Sequence, residues 1–177
     1  MTSSLVVTAA LAAVVLIAGA AALPLLHDGK CRISTVQVQG TSMLPLIADG
    51  TNVEVISGGS QCAEPLDHRV IVVIRSASHR LPLLKTLRGL PGDRFLASGG
   101  HLFLNDNLMT NSAGHPYELI PSAMAMLSMY AHDYAATIPA NTYLVLGDNP
   151  EGSLDSTRFG LIARDMIIGR MVMPPLD

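Results

Sequence analysis

Ser42 and Lys85 are the two residues of this 177-residue sequence whose types and surroundings could support nucleophilic chemistry. Ser42 follows an alternating apolar and polar stretch and precedes Pro45, which predicts an exposed turn. A serine hydroxyl is a weak nucleophile until a neighbouring base takes its proton. Lys85 lies in the apolar run 83–87, where poor solvation of the ammonium group would lower its pKa towards the working range of a base. The pair therefore predicts acyl transfer by a serine and a lysine.

A polar segment at 147–156 contains further groups that could position such a pair, among them Ser153 and Asp155. Taken alone, each of the three segments has an ordinary explanation. A turn serine is common, a strand lysine often extends to solvent, and a polar loop is typical of a protein surface. Their occurrence together, in this order along one chain, favours the catalytic interpretation.

The three segments resemble the motifs of the bacterial type I signal peptidases. Residues 42–45 resemble the nucleophile box of that family, residues 85–93 its lysine box and residues 147–156 its carboxylate box. The resemblance implies a membrane-bound serine endopeptidase. Such a hydrolase removes N-terminal signal peptides from exported precursor proteins during protein secretion.

The resemblance also implies roles for individual residues. Ser42 would be the nucleophile and Lys85 its general base. The hydroxyl of Ser153 would hold the amine of Lys85, and Asp155 would be a structural carboxylate nearby. The developing oxyanion would take a hydrogen bond from the backbone N–H of Ser42.

Two further features of the family have less direct counterparts in this sequence. Some members have a second oxyanion donor, a serine hydroxyl, two positions before the nucleophile, where this chain has Gly40. By the same resemblance, Val36, Val38 and Leu84 would line shallow apolar pockets for small side chains that flank the cut.

The chain departs from the family pattern beside Asp155. The family usually has an arginine directly after the Asp-Ser pair, whereas this chain has Thr157 there and Arg158 one position later. An ion pair between Asp155 and the arginine would therefore require Arg158 to reach back.

Residues 4–26 carry no charge and consist mainly of Leu, Val, Ile and Ala, which predicts a transmembrane anchor because about 20 such residues span a bilayer. A cleaved secretory signal is the alternative, since small residues occur at 18–22. The length of the run and the lack of a basic region before it favour the retained anchor. Lys30 and Arg32 follow the span and would favour a cytoplasmic domain. The family resemblance instead implies a single-pass protein of the cytoplasmic membrane, in contact with the lipid bilayer, with its catalytic domain on the extracytoplasmic side.

The remainder, 33–177, predicts a mostly β domain of antiparallel sheets, because short alternating or apolar runs are separated by turn signals. We expect strands at 34–39, 52–56, 70–74, 82–87, 94–97, 101–104, 142–146 and 166–173. Residues 121–136 interrupt this pattern and predict a helical or loose insertion. Its residues Met124, Met126 and Met129 could contact lipid or substrate, although methionines often simply fill gaps in a core.

Composition excludes several other classes of function. Eleven basic residues against fourteen acidic ones form no basic patch for nucleic acid. The six histidines have no short pair spacing, so we expect neither a metal ion nor a cofactor. Cys31 and Cys62 are too few for a disulfide framework, and the sequence leaves open whether they form a bridge.

Two other functions remain open at this point. One is a specialised relative that processes pilin precursors for conjugative transfer. The other is a membrane-anchored β domain that binds peptides after losing catalysis, and the displaced arginine is the one feature that favours it.

Overall fold

The protein is described by a computed structural model that covers residues 30–75 and 81–172. The predicted anchor at 4–26 lies outside these residues. Within the two ranges, no helix has both the length and the hydropathy that crossing a bilayer requires.

A seven-stranded sheet forms the larger part of the fold, and all of its neighbouring strands are antiparallel. Its order is β1-β2-β10-β3-β4-β8-β9, so the last described strand lies between β2 and β3. The strands are β1 (Arg32–Gln37), β2 (Asn52–Ser57), β3 (Ile71–Ile74), β4 (Leu83–Gly89), β8 (Thr142–Leu146), β9 (Ile162–Ala163) and β10 (Ile167–Met171).

A three-stranded antiparallel sheet and two helices complete the architecture. The small sheet consists of β5 (Phe95–Ser98), β6 (His101–Leu104) and β7 (Asn107–Leu108). Helix α1 (Pro121–Asp133) packs against β5, and the short helix α2 (Ser156–Phe159) packs against β8.

Buried side chains form three clusters around the sheets. The first joins the small sheet to α1 and to Leu144 and Leu146 of β8. The second includes Val145 from the same strand together with side chains of β3, β4 and β10. Because successive residues of a strand point to opposite faces, β8 contributes to both clusters, and apolar side chains cover both of its faces. Thr86 and Leu146 are paired in register, which fixes β4 beside β8.

The predicted fold class, mostly β with antiparallel sheets, is confirmed, and each of the eight expected strands has a counterpart. Two agree at both ends, at 101–104 and 142–146. The others shift by one or two residues, and the first begins at Arg32 and ends at Gln37 instead of 34–39. The two-residue strands β7 and β9 were not predicted, since two residues are too few to display an alternating pattern.

The segment 121–136 contains helix α1, which begins with Pro121 at its first turn. Ala123 and Leu127 are buried in the first cluster, and Met124 and Met126 pack against it. Met129 is 56% exposed. The ordinary interpretation, that methionines fill a core, therefore holds for two of the three.

Cys31 and Cys62 form a disulfide, with their Cα atoms 5.4 Å apart. Cys31 directly precedes β1, and Cys62 lies in a 3₁₀ turn at Ser60–Ala63. The bridge ties the beginning of the edge strand β1 to the segment that follows β2.

Candidate active site

Ser42 lies in the connection between β1 and β2, in a compact turn at 41–47 that we call the nucleophile turn. Backbone hydrogen bonds from Leu44 N to Thr41 O and from Ile47 N to Met43 O hold its shape. The side chain of Met43 is 1% exposed and fixes the turn to the third apolar cluster, which consists of Val38, Met43, Ile47 and Ile71. Ser42 itself remains partly accessible. Ser42 thus lies on a turn whose backbone is held by hydrogen bonds and by the buried Met43 side chain.

Lys85 lies in the middle of β4 and is 1% exposed. Its Nζ donates a hydrogen bond to Ser42 Oγ at 2.9 Å and another to the carbonyl oxygen of Leu84 at 2.7 Å. The structure therefore brings together the serine and the lysine that the sequence analysis singled out. For a neutral amine, the same 2.9 Å separation allows the serine hydroxyl to donate to the nitrogen lone pair.

Burial lowers the pKa of Lys85 to about 8, because the apolar surroundings disfavour the ammonium form. The negative charge of Asp155 opposes this effect and raises the pKa. At pH 7 the amine would be neutral in about a tenth of the molecules, a share that grows rapidly with pH.

Asp155 is buried and accepts three hydrogen bonds. Its Oδ2 accepts from the N–H of Gly147 at 2.8 Å, and its Oδ1 accepts from the N–H and the hydroxyl of Thr157 at 3.0 and 2.8 Å. Thr157 thus partners the carboxylate directly. No ion pair between Asp155 and Arg158 occurs in the described part of the chain, and the Arg158 side chain is exposed.

Ser153 lies beside the pair, but the hydrogen bond expected between its hydroxyl and the Lys85 amine is absent. Its Oγ is buried and has no partner among residues 30–75 and 81–172. The second bond of Lys85 goes to the Leu84 carbonyl instead. The Lys85 amine uses two of its donors, on Ser42 Oγ and on the Leu84 carbonyl, so the role expected of Ser153 stays a prediction.

Gly147 is the point where the carboxylate segment touches the nucleophile turn. A Cβ at this position would collide with Ser153 Oγ and with the carbonyl oxygen of Ser42. Only glycine permits this approach. Its carbonyl accepts a hydrogen bond at 2.7 Å from Tyr117, whose hydroxyl stays protonated because burial raises its pKa.

Asp148 and Asn149 form further hydrogen bonds to the nucleophile turn, although their positions in the sequence predicted no role for them. Asp148 is 3% exposed, and its carboxylate accepts from the N–H of Leu46 at 3.1 Å and from the N–H and hydroxyl of Ser112. Asn149 donates from its N–H to Ser42 O at 3.1 Å and from its side chain to Thr41 O. Both residues stand in the motif at 147–156, but their partners are remote in sequence.

The candidate oxyanion groups differ in availability. The N–H of Ser42 has no hydrogen-bond partner among the residues that the structure describes. Gly40 has a φ of 90°, and its N–H donates to Asp49 Oδ1 at 2.8 Å. It has neither a side-chain donor nor a free amide for an oxyanion.

The three predicted pocket residues lie in different surroundings. Val36, on β1, and Leu84, on β4, are partly exposed. Val38 is 5% exposed and belongs to the third cluster with Met43, Ile47 and Ile71, so it offers little surface to a ligand. Leu84 packs at the edge of the same cluster.

The profile described as "Signal peptidase, peptidase S26" matches residues 4–175, which is nearly the whole chain. The chain belongs to the signal peptidase family. The family prediction is thereby confirmed.

Two relatives agree with this assignment in sequence. Signal peptidase IB from Staphylococcus aureus strain COL is 31% identical over 150 residues, covering 81% of this chain and 78% of the relative. Signal peptidase I U from Bacillus subtilis strain 168 is 27% identical over 135 residues, covering 75% of this chain and 70% of the relative. A crystal structure of a signal peptidase I from Enterococcus faecalis has a TM-score of 0.41 and 21% identity, with 62% of this chain and 99% of that chain covered.

Within 30–75 and 81–172, no three histidine, cysteine or acidic side chains are arranged to hold a metal ion. The described groups suit acyl transfer: a hydroxyl, a buried amine beside it and an unpaired backbone N–H.

Proposed function

We propose that this protein is a type I signal peptidase, a serine endopeptidase that cuts N-terminal signal peptides from exported precursors with Ser42 and Lys85. The observation that carries the proposal is the hydrogen bond between the buried Lys85 amine and the Ser42 hydroxyl. Membership of the signal peptidase family supports the reaction and the substrate class.

The proposed reaction begins with the neutral form of Lys85. Its nitrogen takes the proton of Ser42 as Oγ attacks the carbonyl carbon of the scissile peptide bond. The Ser42 N–H stabilises the negative oxygen of the tetrahedral intermediate. The intermediate then collapses as the C–N bond breaks, and Lys85 gives its proton to the leaving amine. A water molecule attacks the acyl-enzyme ester, again with Lys85 as base, and restores the serine.

The supporting residues act on geometry and charge. Asp155 orients the backbone of Gly147 and stabilises the ammonium form of Lys85 through its charge. We propose that Ser153 contributes a hydroxyl close to the dyad, and that Val36 and Leu84, with a small part of Val38, contact the small side chains that precede the cut.

Substitution of the dyad tests the proposal. The full-length chain in detergent is incubated with a panel of secretory precursors, and the cut positions are read by mass spectrometry. Ser42→Ala and Lys85→Met should each abolish cleavage, and the double variant should be no worse, since the two residues act as a unit. Lys85→Arg should also fail, because a guanidinium cannot act as a base at these pH values.

Matched controls are available for both residues. Lys30, the other lysine of the sequence, and Ser98 are both exposed. Lys30→Met and Ser98→Ala should keep full activity. Near-normal turnover by a folded Lys85→Met variant would refute the assignment of the dyad.

We further propose that residues 4–26 anchor the protein once in the cytoplasmic membrane, with the catalytic domain on the extracytoplasmic side. The Cys31–Cys62 disulfide supports this side, because disulfides persist in oxidising compartments. Protease added to intact spheroplasts should digest the domain. Digestion only after the membrane is opened would contradict this topology.

A further inference from the structure

A cleft of about 820 Å³ opens beside the nucleophile turn. Leu44 and Pro45 of that turn form one wall, and Asn149, whose N–H donates to Ser42 O, contributes to another. The volume lies within the range of sites that bind a drug-sized ligand. A peptide segment of a few residues has a similar size. The cleft therefore lies beside the turn that carries Ser42, although Ser42 itself does not line it, and it has room for a short segment of substrate.

The lining residues place the cleft at the C-terminal part of the nucleophile turn. Its wall contains residues that follow the serine in the turn, whereas Val36 and Val38 precede the serine, and neither they nor Leu84 line the cleft. A peptide held across the serine must leave the site on both sides of the scissile bond. If the surface around Val36 and Leu84 takes the residues before the cut, the cleft is left for the residues after it.

The lining of the cleft is charged as well as apolar. Glu118, Glu151 and Arg158 contribute to it, and all three are exposed. None of them forms an ion pair with another residue in the described ranges. Arg158 does not bind Asp155, because the N–H and the hydroxyl of Thr157 donate hydrogen bonds to that carboxylate. The guanidinium of Arg158 can therefore contact a ligand in the cleft. Two unpaired carboxylates against one guanidinium leave the cleft with an excess of negative charge.

We infer that this cleft binds the residues of the precursor that follow the cut, and that Glu118 and Glu151 favour lysine or arginine among them. The inference rests on the proposed signal peptidase activity and adds a preference on the mature side of the cleavage site. Arg158 opposes the two carboxylates and limits the preference. The contacts are partly exposed, so each carboxylate should change kcat/KM by about two- to fivefold.

Two precursors with the same signal peptide test this inference, one with two lysines and one with two glutamates at the second to fifth positions after the cut. The full-length chain in detergent should cleave the lysine precursor with the higher kcat/KM, mainly through a lower KM. Glu118→Gln combined with Glu151→Gln should remove the preference, and Arg158→Gln should enlarge it. Asp106→Asn, an exposed carboxylate outside the cleft, should leave the ratio unchanged. Added salt should reduce the preference of the parent.

The experiment distinguishes a failure of the proposed activity from a failure of the inferred preference. If the parent cleaves neither precursor, the proposed function fails and this inference fails with it. If the parent cleaves both and the ratio is the same in the Glu118→Gln, Glu151→Gln variant, the inference is wrong while the activity stands. A parent that prefers the glutamate precursor would also overturn it, because Arg158 would then dominate the cleft.

Discussion

At Lys85, burial and a neighbouring carboxylate act on the amine in opposite directions. Burial lowers its pKa to about 8, and the charge of Asp155 raises it. Because the neutral amine is the proposed base, kcat/KM should rise about tenfold per pH unit below pH 8 and level off above it. Asp155→Asn removes the charge that stabilises the ammonium form, so the midpoint should move to lower pH.

The pH profile of the remaining activity measures this shift, and the pH dependence of the labelling rate of Lys85 by an amine-selective reagent measures it without turnover. Asp106→Asn, which changes charge far from the dyad, should leave both midpoints in place. An unchanged midpoint in Asp155→Asn, or one that moves to higher pH, would contradict the electrostatic coupling.

Ser153 presents a different situation, because its buried hydroxyl has no partner in the described structure. A buried polar group without a hydrogen bond costs about 1–3 kcal/mol. Ser153→Ala should therefore unfold at the same temperature as the parent or a few degrees higher, as measured by circular dichroism. Ser98→Ala, at an exposed position, serves as the neutral comparison. A clear loss of stability would indicate that the hydroxyl holds Lys85 after all.

At the scale of elements, Asp148 connects the end of β8 to two loops. Its carboxylate binds Leu46 in the nucleophile turn and Ser112 in the loop that follows β7. Asp148→Ala would leave these donors without their acceptor, at a cost of about 2–3 kcal/mol in stability. The expected result is a lower kcat with faster amide exchange at Leu46 and Ser112.

Asp148→Asn keeps one side-chain oxygen as an acceptor, so its loss of activity and stability should be smaller. Hydrogen exchange followed by mass spectrometry separates the two loops from the rest of the sheet. Protection at Leu46 that is unchanged in Asp148→Ala would refute the role of the carboxylate in holding the turn.

The strands were predictable because their pattern is local, whereas the approach of Ser42 to Lys85, 43 residues later, was expected from the resemblance to a known family. Alternating residues identify a strand that is buried on one face, and a single lysine in an apolar run identifies a buried amine. The role of Asp148 was not predictable in this way. Its carboxylate is recognisable as a polar residue after an apolar strand, but its partners at Leu46 and Ser112 come close only in the folded chain.

The state of the cysteines and of Ser153 depended on tertiary structure for the same reason. A separation of 31 residues between Cys31 and Cys62 says nothing about the distance between their Cα atoms, which requires β1 to pair with β2. The matching position of Ser153 predicted a bond to Lys85. It could not predict that the amine also binds the carbonyl of Leu84, or that the Ser153 hydroxyl has no partner among the described residues.

For the whole molecule, the disulfide fixes the edge strand that leads to the nucleophile. Among the strands that the structure describes, β1 pairs only with β2, and Cys31 joins it to Cys62. By the chain-entropy estimate for a loop of this length, replacing both cysteines with serine should lower the free energy of unfolding by about 3–4 kcal/mol. Chemical denaturation measures this difference. Hydrogen exchange should increase first in β1, and equal exchange in parent and variant would contradict the link to the edge.

The order of the seven-stranded sheet also governs when the enzyme can become active. Ser42 follows β1, whereas Lys85 lies on β4, and β10 is the strand hydrogen-bonded between their two halves of the sheet. During synthesis the two halves can form early, but the sheet closes only after residues 167–171 have emerged. Nascent chains arrested before β10 should therefore leave a signal-peptide reporter uncut, while chains released beyond it should cut the reporter. Between the synthesis of Lys85 and that of β10, the growing chain would carry both residues of the proposed dyad without being a protease, which would spare neighbouring chains from premature cleavage.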